Sequence, residues 1–154
     1  MRSKVITGGL ALAIGIGYAC GALAQVKPET LVDQRIAAMR LQAKYFYGSL
    51  LPMAQGKIPY DGSVAARSAG YLEVLTKLAW DGFDPSTKDL KTRALPDVYS
   101  EPAKFKAAQD NFNAEVGKLV VATKSGNEGS VKAAILDVNK ACGACHDNFR
   151  AKQQ

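Results

Sequence analysis

Cys142, Cys145 and His146 stand as Cys-Gly-Ala-Cys-His near the end of a 154-residue chain, with eight residues after the histidine. Residues three apart on a helix share a face, so the two thiols point the same way with an imidazole beside them. C-x-x-C-H is the attachment pattern of c-type haem. Each thiol forms a thioether to one vinyl group, and the histidine becomes the proximal axial ligand of the iron. His146 is the only histidine, and the third cysteine, Cys20, lies near the N-terminus. Three other chemistries use these residue types. A structural zinc site takes four ligands, and this cluster offers three with no second C-x-x-C. A thioredoxin-like pair would adjoin a strand–helix unit, and none is visible. A disulfide between Cys142 and Cys145 would leave His146 without a role. One covalently attached haem c per chain is therefore the expected cofactor.

The N-terminus reads as a secretory signal over residues 1–24. Arg2 and Lys4 form a positive n-region, Leu10 to Ile16 an apolar core, and Ala22-Leu23-Ala24 a small-x-small cleavage pattern. The apolar stretch is short and glycine-rich for a membrane span. Lipidation at Cys20 is disfavoured, because Gly17-Tyr18-Ala19 lacks the usual upstream leucine. The expectation is export to the periplasm, where c-type haem is attached, without a membrane anchor. The mature region, 25–154, has the size of one compact domain. Loss of Arg2 and Lys4 lowers the formal charge from +6 to +4, enough for weak steering towards an acidic partner. Basic and acidic residues are interspersed, and no basic run with interleaved aromatics suggests nucleic acid.

Four apolar patterns at helical spacing must position the cluster. The first is Val32, Ile36, Met39, Ala43, Phe46 and Leu50, opened by Pro28-Glu29 and expected to end at Pro52. The second follows Asp61 as N-cap: Val64, Ser68, Tyr71, Leu75 and Leu78. A long connection containing Asp81-Gly82, Pro85 and Pro96 leads to the third, with Ser100 as N-cap and Phe105, Ala108, Phe112, Val116 and Leu119 as its seam. Ser125-Gly126-Asn127-Glu128-Gly129 reads as a short loop before the fourth: Val131, Ile135, Val138, Cys142, Cys145 and Phe149. Both motif cysteines continue the apolar seam, which predicts haem inside the bundle. No stretch alternates as a strand. The fold class is all-α, an antiparallel up-down-up-down four-helix bundle with covalent haem near the C-terminus.

A secreted four-helix chain with its haem motif at the C-terminal end resembles the class II c-type cytochromes, most closely cytochrome c′, over essentially the whole mature region. Further segments that look like this family are Arg35-Ile36-Ala37-Ala38-Met39, Gly56-Lys57-Ile58-Pro59-Tyr60-Asp61, Trp80-Asp81-Gly82-Phe83 and Cys145-His146-Asp147-Asn148-Phe149-Arg150. The resemblance implies that Met39 covers the distal haem face. There it either shields a five-coordinate iron or, as in the low-spin relatives, supplies a sixth ligand. The open site is preferred, because seam methionines mostly pack and Trp80 with Phe83 resembles the c′ pattern. Met53, in the loop after Pro52, is a weaker ligand candidate. The resemblance also implies that Arg150 flanks the proximal pocket and that Arg35 approaches a haem propionate. A helix-dipole role for Arg150 and a solvated Arg35 compete with these. Trp80 is either a haem contact or a core anchor.

The expected function is binding of NO and CO at a five-coordinate iron, with a capacity for electron transfer. An apolar distal side without a histidine favours these gases over O₂. The alternative is a six-coordinate His146/Met39 electron carrier. No residue pattern suggests a dedicated enzyme. The resemblance further implies a homodimer packed through the first two helices, with an unidentified redox partner.

Overall fold

The structure, a computed structural model, describes residues 26–152. The signal sequence expected at 1–24, with Cys20, lies outside the described residues. Four long helices make the bundle: α1 (Pro28–Tyr45), α2 (Gly62–Trp80), α3 (Pro102–Ser125) and α4 (Glu128–Phe149). α1 packs on α2, α2 on α3 and α3 on α4, and the turn Leu51–Ala54 closes the ring against α4. Among the described residues there is no strand, only an isolated bridge between Ala94 and Arg150. No described helix is long and apolar enough to cross a membrane.

Local signals account for several boundaries. The Asp61 carboxylate accepts from the Val64 N–H at 2.9 Å and starts α2, and Asn127 accepts from the Ser130 N–H at 2.8 Å and starts α4. The α3–α4 turn is only Gly126-Asn127, tighter than the expected 125–129 loop. It needs a glycine, because Gly126 is left-handed at φ 70°.

Two expected boundaries are corrected. Pro52 does not end the first helix. The chain widens into a π-turn at Phe46–Leu50 and continues helically through Leu51–Ala54. The Leu51 N–H reaches back five residues to the Phe46 carbonyl, and this changed register accommodates a proline early in the next turn. Ser100 is not the N-cap of α3. It belongs to a separate helical turn, Asp97–Ser100, and Glu101 precedes α3 without a side-chain cap.

The seams of α3 and α4 lie where expected, with Phe105, Phe112, Val116, Leu119, Val131, Ile135 and Val138 buried. Those of α1 and α2 are rotated. α1 buries Val32, Arg35, Ala38 and Gln42, leaving Ile36 and Ala43 exposed. α2 buries Ala65, Ser68, Ala69, Leu72, Thr76 and Ala79, leaving Tyr71 and Leu78 each 43% exposed. Small residues facing inward let helix axes approach closely. The buried polar groups are satisfied: Gln42 donates to the Leu75 carbonyl at 3.1 Å, Thr76 to the Leu72 carbonyl at 2.6 Å, and Ser68 pairs with Ser49 at 3.2 Å.

The connection between α2 and α3 is ordered rather than plain loop. It contains 3-10 turns at Asp81–Phe83 and Pro85–Thr87. It also pairs with the C-terminus: the Leu95 N–H donates to the Phe149 carbonyl at 3.0 Å, and the Ala151 N–H to the Arg93 carbonyl at 2.8 Å.

Candidate haem site

The last two turns of α4 hold the motif where two apolar clusters meet. Cys142 packs on the main core, which includes Phe112, Val138 and Ala141. Cys145 packs on a smaller cluster of Val98, Phe105 and Phe149. Trp80 belongs to the edge of the first cluster. Its ring centroid lies 6.0 Å from Phe83, 6.3 Å from Phe105 and 6.0 Å from Phe112, so it joins the two. Its indole N–H donates to Asn113 Oδ1 at 2.9 Å, which satisfies the polar edge of a half-buried ring.

Both motif cysteines are free thiols and half-buried. Burial pushes the Cys142 thiol up to about 12, with Cys145 adding to the rise and Arg150 opposing it. Burial raises Cys145 as well, again against Arg150. Burial, reinforced by Arg150 and Arg93 and opposed by Asp147, pushes the His146 imidazole down to about 4. Before haem is attached, the pair is therefore protonated at neutral pH, unlike thiolates that ligate metal directly. The imidazole is neutral with a lone pair for iron.

Arg35 supplies a second observation that fits haem. It is only 4% exposed. Its Nη1 donates to the Gly82 carbonyl at 2.8 Å and to Tyr99 Oη at 3.4 Å, and its Nη2 donates to Thr92 Oγ1 at 3.3 Å. All three acceptors are neutral, and none of the ion pairs among the described residues includes Arg35. A buried guanidinium without a counter-ion is costly, and a propionate carboxylate is the kind of group that would complete it. The solvated Arg35 weighed from sequence is overturned, since the side chain lies beneath the α2–α3 connection.

Of the two methionines weighed as ligands, Met53 is fully buried and its sulfur accepts the Asp61 N–H at 3.4 Å. It is a core residue of the Leu51–Ala54 turn. Met39 is half-buried on α1, between the buried Ala38 and the exposed Arg40. Arg150 caps α4, its N–H donating to the His146 carbonyl at 3.1 Å, with an exposed side chain. Phe83 lies under Arg35, its centroid 4.4 Å from the guanidinium carbon.

Sequence reasoning missed Tyr99, Thr92, Thr87 and Arg93. Thr87 Oγ1 pairs with Tyr99 Oη at 2.8 Å and donates to the Asp84 carbonyl at 2.7 Å, holding the phenol beside Arg35. These residues occupy a connection with no hydrophobic period. The only signal was its density of turn-forming Asp, Pro, Ser and Thr.

Comparison with known proteins identifies the family. Residues 30–150 match the family described as cytochrome c′. A cytochrome c′ from Rubrivivax gelatinosus is 42% identical over 127 residues, covering 82% of this chain and 98% of the relative. Its crystal structure superposes with a TM-score of 0.77 at 41% identity, over 81% of this chain and 98% of that one. A nitric oxide complex of a cytochrome c′ variant from Alcaligenes xylosoxidans superposes at 0.76 and 35% identity, over 82% and 98%. A carbon monoxide complex of another variant from that organism gives the same values. That family binds covalent haem c, and the donor set at the end of α4 suits it. From residue 30 to residue 150 this chain belongs to the cytochrome c′ family.

Proposed function

We propose that this chain is a periplasmic gas-binding haem protein, exported by its first 24 residues. Bound haem c supplies an iron that takes up diatomic gases and exchanges single electrons. Cys142 and Cys145 would anchor it through thioethers, and neutral His146 would ligate the iron. Arg35 offers its remaining donors to a propionate, and Trp80 and Phe83 form apolar wall. Met39 would cover the other face of the haem without binding the iron, which would stay open to NO or CO. Arg150 flanks the histidine side. The observation that carries this reading is the half-buried Cys142 and Cys145 pair, with His146 beside it, at the junction of two apolar clusters. The NO and CO complexes of the relatives support it. The exposed Ile36, Tyr71, Val74 and Leu78 on α1 and α2 support a homodimer through these helices.

Anaerobic titration of the ferrous protein with NO tests the function. A saturable change of the Soret band is expected, and an unchanged spectrum would contradict gas binding.

A further inference from the structure

The mature chain's modest charge conceals a local concentration. Pairing of residues 93–95 with 149–151 brings Arg93 beside Arg150 at the open edge of His146. Arg93, Arg150 and Lys152 line a cleft of about 460 Å³ with His146 in its wall. All three cations are solvent-exposed. Arg93 donates through Nε and Nη2 to the Ala151 carbonyl at 3.0 and 2.6 Å, a neutral acceptor. The ion pairs among the described residues all lie along α3 and α4, from Glu101–Lys104 to Lys140–Asp137, and none uses a cation of this cleft. Among the described residues, the one carboxylate in its lining is the exposed Asp147. The neighbouring cleft beside Cys145 differs, since Asp97 and Glu101 there face Lys104 and Glu101 is already paired with it at 2.7 Å.

We propose that this cationic rim around His146 docks an acidic patch of a one-electron redox partner protein, with electrons crossing at the imidazole edge. The inference rests on the haem reading. A protein partner is favoured over a small anion, because the cations are exposed and no buried polar side chain builds an ion site. Screened surface charges hold a lone ion weakly, yet they steer and orient a partner that meets several at once. In the transfer, ferrous iron loses one electron to an oxidised partner, which is reduced by one. No proton or ligand moves.

The test is stopped-flow oxidation of the ferrous holoprotein by two one-electron probes, anionic hexacyanoferrate(III) and cationic tris(phenanthroline)cobalt(III). The anionic probe should slow as salt shrinks the screening length from about 30 Å at 0.01 M to about 8 Å at 0.15 M. Lys152→Glu with Arg93→Gln should slow it at least about threefold at low salt, without slowing the cationic probe. Lys106→Glu with Lys140→Gln makes the same net-charge change away from the cleft and should have little effect. Because Arg93 also holds the Ala151 carbonyl, Lys152→Glu alone must reproduce part of the slowing. Equal slowing by both double variants, or none by Lys152→Glu, overturns the docking surface while the haem reading stands. No absorbance change with either probe overturns both.

Discussion

The Arg35 guanidinium stacks on the Phe83 ring, 4.4 Å from its centroid, while donating to the carbonyl of adjacent Gly82 at 2.8 Å. This contact ties the start of the bundle to the end of α2, and it depends on a glycine. A Cβ at position 82 would collide with the Arg35 Cβ and the Leu31 carbonyl oxygen. Gly82→Ala should therefore cost about 1–3 kcal/mol, as overpacking does, read as a lower Tm of the holoprotein. An unchanged Tm would mean that the α1–α2 corner yields freely.

Arg35→Leu separates packing from charge. With Arg35 at a propionate, as proposed, removing its buried cation disfavours the reduced state, so the reduction potential should fall by tens of millivolts, about 59 mV being tenfold for one electron. Potentiometric titration that gives the wild-type value would place the Arg35 charge out of electrostatic reach of the iron.

Covalent attachment is tested at the thiols. The Cys142→Ala, Cys145→Ala double variant should lose its haem to acid–acetone extraction, whereas the wild type keeps it. Haem retained by the double variant would contradict the thioether assignment.

The sequence makes some of this architecture legible and hides the rest for physical reasons. α3 and α4 carry their cores in large apolar residues, so Phe105, Phe112, Val131 and Ile135 set the helical phase unambiguously. α1 and α2 also bury Arg35, Gln42 and Thr76, which no apolar pattern marks and whose polar groups are satisfied by specific hydrogen bonds. Hydrophobic periodicity cannot see such residues and rotates the seam towards Ile36 and Tyr71. The haem motif is legible because its chemistry fixes residue types at fixed spacing. Tyr99, Thr87 and Arg93 are not, because they come together only when an aperiodic connection folds back on α4.

The phases read correctly yield a stability prediction. Val138 and Phe112 are buried in the main core, so Val138→Asp or Phe112→Asp places an unpaired carboxylate there. Each should destabilise the protein by on the order of 3 kcal/mol in denaturant titration. Wild-type stability of both variants would show that these positions face solvent.

Met39 carries the central claim, because the proposed function has it cover the iron without binding it. The direct measurement is the visible spectrum of the wild type and Met39→Leu, ferric and ferrous, with and without CO. An open iron predicts a broad high-spin ferrous spectrum, ready CO binding and no weak far-red methionine band in the ferric form. Met39→Leu, close in bulk and polarity, should then leave these spectra almost unchanged. A low-spin wild type that rejects CO, converted to a high-spin CO-binding form by Met39→Leu, would contradict the account and make the protein a six-coordinate electron carrier.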